Sequence, residues 1–125
     1  MLTNRATHAT LPAADLSRAR AFYEGKLGLQ PAMEAPGGIM YESGGTRFLV
    51  FPTRGTSSGE HTQMGWVVDD VAAEVAELKG RGVVFEEYDL PGLKTVDSVA
   101  DTPPVKAAWF KDTEGNLLGL IQFVG

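Results

Sequence analysis

The sequence contains no cysteine. That excludes disulfides, thiol nucleophiles, Cys-ligated zinc and iron–sulfur clusters together. Imidazole is nearly as scarce: His8 and His61 are the only histidines, so any imidazole chemistry must use one of them. No run approaches the ~18 consecutive apolar residues that span a bilayer. The N-terminal Met1-Leu2-Thr3-Asn4-Arg5 lacks the charged-then-apolar layout of a secretory signal. A cytoplasmic chain with no membrane partner is the expectation. Basic residues are in the minority, 11 against 16 acidic, for a net charge of −5. That balance argues against a nucleic-acid partner, because phosphate-binding surfaces need clustered Lys and Arg. Nucleotide loops are missing too, with no Gly-x-Gly-x-x-Gly after a strand and no P-loop. None of Ser17, Ser43, Ser57, Ser58 and Ser98 stands in a nucleophile-elbow context.

What is present suits one globular domain over residues 1–125, with 43% apolar and 22% charged residues. Charge is unevenly spread. Residues 1–56 carry six basic and four acidic side chains, whereas residues 57–125 carry five basic and twelve acidic. Such a face is either simply solvated or attractive to a cationic ligand or a more basic partner surface.

Two segments repeat one another. Asp15-Leu16 opens a run in which Leu16, Ala19, Phe22, Tyr23 and Leu27 recur at helical spacing, and Asp70-Val71 opens another with Val71, Val75 and Leu78. Each Asp suits an N-cap, so Asp69-Asp70 reads as capping rather than as a catalytic carboxylate pair. Glycine ends each helix, at Gly25 or Gly28 and at Gly80 or Gly82. Strand-like runs flank the helices at 6–11, 29–34, 39–42, 46–51, 62–68, 83–87, 105–110 and 117–123, with hairpin signals at Gly37-Gly38, Gly44-Gly45 and Asp112 to Asn116. The pattern is βαβββ twice: module one over about 1–52, a polar linker at 53–60, and module two over about 61–125. One helix covers only one face of a sheet, so two such modules predict a pocket between their uncovered faces.

These residues carry a resemblance over nearly the whole chain. His8 stands seven residues before Asp15-Leu16, followed by Ala21-Phe22-Tyr23 and Lys26-Leu27-Gly28-Leu29. Module two supplies Val68-Asp69-Asp70-Val71, Leu78-Lys79-Gly80-Arg81-Gly82-Val83 and Trp109-Phe110-Lys111-Asp112-Thr113-Glu114-Gly115-Asn116. In these motifs the chain resembles the vicinal oxygen chelate superfamily of glyoxalases, extradiol dioxygenases and bleomycin-resistance proteins. Tyr88 to Val96 also resembles a subgroup of small bacterial members. The resemblance implies an α+β fold, with the two βαβββ modules forming a single cup-shaped, partly open barrel.

In metal-dependent relatives of that kind the cation is held by inward residues of four strands, which here fall at His8, Val50, Gln63 and Gly119. Val50 and Gly119 have no donor atom in the side chain, so no metal and no other cofactor is expected. An alternative cation site would combine His8, His61 and Glu42. Strand alternation places Phe48 with Val50, Gln63 with Gly65 and Val67, and Leu117 with Gly119 and Ile121. Ligand contacts are therefore expected from His8, Tyr41, Phe48, Val50, Gln63, Gly65, Trp109 and Gly119. Residues 88–104 form a long loop, either a lid or a passive edge cover. The function expected is metal-independent binding of a small, partly apolar or aromatic ligand, in a homodimer. The alternatives are a metal-dependent glyoxalase-like lyase, isomerase or dioxygenase, and a non-catalytic interaction protein.

Overall fold

Asp15 and Asp70 cap the two helices. Each has an extended backbone, and its carboxylate accepts from the N–H three residues on, Arg18 at 3.0 Å and Ala73 at 3.1 Å. That satisfies donors which a first helical turn leaves unpaired. In a computed structural model describing residues 1–124, these caps open α1 (Leu16–Arg20) and α2 (Val71–Gly80). α1 continues as a wider π turn over Ala21–Lys26, where the Leu27 N–H reaches back to the Phe22 carbonyl and the adjacent Phe22 and Tyr23 are both buried. Gly28 then takes a left-handed φ of 72°, which costs a glycine little.

Module one contributes β1 (Ala9–Ala13), β2 (Gln30–Ala35), β3 (Gly38–Ser43) and β4 (Thr46–Pro52). Module two contributes β5 (Thr62–Val67), the short β6 (Asp89–Leu90) and β7 (Leu93–Lys94), β8 (Ala100–Thr102), β9 (Val105–Lys111) and β10 (Leu117–Phe123). The sheet orders are β1-β4-β3-β2 and β5-β10-β9-β8, with β1 parallel to β4, β5 parallel to β10, and the remaining pairs antiparallel. The order repeats between modules, as the duplicated sequence pattern requires.

The single barrel expected from the resemblance does not form. The strands make two separate four-stranded sheets plus the β6–β7 hairpin, and no ladder joins β1 to β5 although their edges approach one another. β1 contains Pro12, which has no N–H and is tolerated at sheet edges. The Pro12 carbonyl accepts from the Asn116 side chain at 3.0 Å. The fold is α+β with two open, mixed sheets.

The strand expected at 83–87 also shrinks. Only Phe85 bridges to Phe110, and the Glu86 N–H donates to the Trp109 carbonyl at 2.8 Å. The chain then leaves the edge of β9, forms β6–β7, turns at Asp97–Ser98 and returns to that edge as β8. The Glu87 carboxylate holds the excursion, accepting from Thr95 Oγ1 (2.6 Å), Ser98 Oγ (2.7 Å) and the Ser98 N–H (3.2 Å). Those hydrogen bonds, Thr95's first, hold its carboxyl below the usual range. They also lock Asp97 and Ser98 at φ of 50° and 71°, the paired left-handed residues of a two-residue hairpin turn.

One face of each sheet meets a helix, and both faces feed a common core. Phe22 of module one packs on Phe110 of module two, and Phe48 meets Trp66 edge-on, with ring centroids 6.2 and 6.3 Å apart. A buried polar knot at the β9–β10 turn completes the joint. Glu114 accepts from the Asp15 N–H (2.8 Å), Arg18 Nε and Nη2 (2.7 and 3.1 Å) and Thr113 Oγ1 (2.8 Å). Asp112 accepts from the Tyr23 hydroxyl (2.6 Å) and from the Asn116 N–H and Nδ2 (2.9 and 2.7 Å). Asn116 Oδ1 in turn accepts from Ser57 Oγ at 2.6 Å, which anchors the linker. The Arg18 hydrogen bonds lower the Glu114 carboxyl to about 2 despite its burial. Burial and the neighbouring Asp112 push the Tyr23 phenol up. Among the described residues no helix is long and apolar enough to cross a membrane.

Candidate functional site

A strand sends alternate side chains to opposite faces, so the register defines which residues share the uncovered side. On β4, Phe48 and Val50 are buried in the core while Leu49 and Phe51 point away from it. Their cross-strand partners follow: Thr10 and Pro12 on β1 and Met40 on β3 share the open face with Leu49 and Phe51. In module two, Leu118, Leu120 and Phe110 enter the core. Gly65, Gly119 and Trp109 lie abreast on the other side, as neighbours in the β5–β10 and β10–β9 ladders.

This divides the expected ligand contacts into two groups. Tyr41, Phe48 and Val50 lie in the core, on the side opposite the open face. Tyr41 stacks on Tyr23 at 5.6 Å, and its hydroxyl donates to Glu24 Oε2 at 2.9 Å. Burial and that bond raise its phenol. His8, Gln63 and Gly65 are exposed, Trp109 is half-buried and Gly119 is buried. Gly65 sits tight against β10: a Cβ there would stand 3.1 Å from the Gly119 carbonyl oxygen.

Trp109 is the best-anchored group on this face. Its indole Nε1 donates to Thr62 Oγ1 at 3.1 Å, and a Cβ on Gly119 would stand 3.5 Å from its ring. Tyr88 packs edge-on against it, with centroids 5.5 Å apart and an interplanar angle of 84°. The indole is therefore held on two sides, by Thr62 and Tyr88, while it stays half-exposed beside the bare Gly119, which gives a flat platform that loses little freedom when a ring stacks on it. Thr62 and Tyr88 were not among the expected contacts. Thr62 lies 47 residues from Trp109, and nothing local in the sequence couples them.

A divalent cation does not fit the residues at the strand positions used by metal-dependent relatives. His8 precedes β1 and, by continuation of the β1–β4 register, lies level with Arg47. A basic residue at that level opposes a cation. On β4 the open-face residues near position 50 are Leu49 and Phe51, and β10 offers Gly119, so none supplies a side-chain donor. The alternative set of His8, His61 and Glu42 is not brought together: among the described residues, no group of three or more His, Cys, Asp or Glu side chains is placed to hold a metal ion.

Comparisons with known proteins agree on the fold. The crystal structure of UcmS2 superposes with a TM-score of 0.74 at 20% identity, covering 94% of this chain and 96% of that one. A lactoylglutathione lyase from Agrobacterium tumefaciens gives 0.66 at 22% identity, over 96% and 95% of the two chains. A glyoxalase/bleomycin resistance protein/dioxygenase from Alicyclobacillus acidocaldarius gives 0.69 at 23%, over 98% and 93%. At such identities the likeness shows architecture and not activity. No protein of curated function matches the chain. The family model of the Glyoxalase/Bleomycin resistance protein/Dioxygenase superfamily matches residues 5–120, and with that match, the doubled βαβββ order and the shared architecture, the chain belongs to this superfamily.

Proposed function

We propose that the protein binds a small, partly apolar or aromatic molecule on the open face of module two without a divalent metal, and that it works as a homodimer. The observation that carries this is the Trp109 platform, an indole held by Thr62 and Tyr88 and presented half-exposed beside Gly119, with Gly65 on the next strand. Ligand sites combine apolar walls with a few polar groups that fix orientation. Leu117 and Ile121 supply apolar neighbours on this face, Thr62 is the polar group in contact with the indole, and Gln63 and His8 are exposed polar candidates for orienting a ligand. The same faces leave Val67 and Phe123 72% and 66% exposed, and exposed large side chains of this kind favour cover by a second chain.

A lyase or isomerase of the metal-dependent type needs a cation to polarise a substrate oxygen. The Arg47, Leu49 and Gly119 positions work against one. The test uses a Trp66→Phe variant, in which Trp109 is the only indole. Saturable quenching of its emission by aromatic probes, unchanged by chelator and weakened at least about tenfold by Gly119→Leu, is the expected outcome. Stoichiometric metal in the purified protein, lost in His8→Ala, would overturn the reading. Sedimentation of a single-chain mass at micromolar concentration would overturn the homodimer.

A further inference from the structure

A cavity of about 310 Å³, which Trp109 does not line, lies between the modules. Leu27, from the end of the first helical segment, and Leu78 of α2 form its flanks, and Trp66 and Phe110 line it from β5 and β9. The indole is fixed here as well: it stacks on Phe110 with centroids 6.1 Å apart and 12° between planes, and its Nε1 donates to Ser43 Oγ at 3.1 Å. Trp66 thus presents a satisfied, immobile aromatic surface to the cavity.

The one ionisable group among the lining residues is Glu74, in the first turn of α2. It is half-buried, and among the described residues its carboxylate has no ion-pair partner within 4.0 Å; no buried side-chain oxygen goes without a hydrogen bond, so its oxygens reach solvent at the mouth of the cavity. The carboxylates of Glu24, Glu34, Glu77, Glu86 and Glu114 pair with Lys or Arg, whereas Glu42 and Glu60, also without an ion pair among the described residues, do not line this cavity. A carboxylate at the rim of a cavity walled by Trp, Phe and Leu complements a ligand with a cationic end and an apolar body. That ligand carries an ammonium group for Glu74 and a hydrocarbon or aromatic body for the walls, with the cation also favoured by the negative face of the indole. The acidic balance of residues 57–125 adds a field that concentrates cations around this module.

We infer that the inter-module cavity is a binding site for a small organic amine, its ammonium paired with Glu74 and its apolar body packed on Trp66 and Phe110. The inference does not rest on the Trp109 platform, and the two tryptophans allow each site to be read separately.

In a Trp109→Phe variant the only indole is Trp66. Titration with 2-phenylethylamine should change its emission saturably, while the neutral 2-phenylethanol should bind about tenfold more weakly. Adding Glu74→Gln should weaken the amine about tenfold and leave the alcohol unchanged. In the unmodified carboxylate background, raising salt from 0.05 to about 0.5 M should weaken the amine alone, because an accessible ion pair is screened. That arm needs no substitution in the cavity and so does not depend on how the Glu74 variant folds. Equal affinity for amine and alcohol, no response to salt, or no saturable change in Trp66 emission would each overturn the assignment.

Discussion

The two modules share a strand order and differ at one edge. In module one the chain passes from β2 to β3 through Pro36 and Gly37 and directly into Gly38, whose φ of 135° no other residue adopts easily. At the corresponding edge of module two the chain spends residues 88–99 outside the sheet before β8 resumes the pairing. The first edge is closed by backbone geometry and the second by side chains, with Glu87 clamping Thr95 and Ser98. Module two also uses Asp112 and Glu114 to bind itself to module one. A duplicated framework can therefore be held by glycine in one copy and by hydrogen-bonded carboxylates in the other, and the two devices fail differently.

The largest effect is expected at the glycine. A Cβ on Gly38 would run into the Val50 carbonyl oxygen and stand 3.0 Å from the Phe51 Cα, both backbone atoms of β4. Gly38→Ala must shift a paired strand as well as strain φ, and should destabilise by about 3 kcal/mol. Gly37→Ala, with nothing within 4 Å of its Cβ, should change stability by less than about 0.5 kcal/mol. Urea midpoints at constant slope give both numbers. Similar losses at the two positions would mean that the turn as a whole, and not the close approach to β4, sets the edge.

The carboxylate joint comes next, and it has a pH signature. Glu114 is buried with its carboxyl lowered to about 2, chiefly by the Arg18 hydrogen bonds. A value depressed in the folded state means that the stabilisation is complete above the ordinary carboxyl range, near 4.5, and is lost as pH falls towards 2. Glu114→Gln should cost about 1–3 kcal/mol at neutral pH, the range for hydrogen bonds to a charged group. Its deficit against the parent protein should shrink as pH falls from about 4.5 to 2. A deficit independent of pH would assign the joint to shape and not to charge.

Much of this frame was legible in the sequence, because its signals are local. Asp15 and Asp70 mark helix starts through bonds that span three residues, and paired glycines mark hairpins. The faces were harder. Phe48-Leu49-Val50-Phe51 is apolar throughout, so alternation yields two faces without saying which meets the helix. Tyr23 and Tyr41 decide it by packing their rings, tilted, against Phe48 at centroid distances of 5.7 and 5.6 Å. The motif from Asp112 to Asn116 read as a turn and a family motif but not as a joint between the modules, since the partners of Glu114, Asp15 and Arg18, lie 99 and 96 residues away. Trp109 was expected to contact ligand from its place in the sequence, but its Thr62 and Tyr88 supports were not legible there. The barrel expected from family resemblance failed at the edge where β1 and β5 approach without pairing.

The smallest effect should fall on the excursion. Glu87→Gln keeps the side-chain shape but replaces one acceptor oxygen with an NH₂ donor, so it cannot accept from Thr95 Oγ1 and from both Ser98 donors as the carboxylate does. The left-handed pair Asp97–Ser98 then loses the bonds that offset its strain. Because those contacts stay within residues 87–98, the loss should be local. Amide exchange at Val96, Ser98 and Val99 should quicken by roughly tenfold, while Phe110 and Leu118 in the core exchange as before. The thermal midpoint should move less than in Glu114→Gln. If core amides quicken in step with Ser98, the excursion belongs to the same cooperative unit as the sheets, and the two edges differ in chemistry but not in independence. If they do not, the second module carries an element that opens on its own, and Tyr88, at its base and against the Trp109 indole, links that opening to the proposed ligand face.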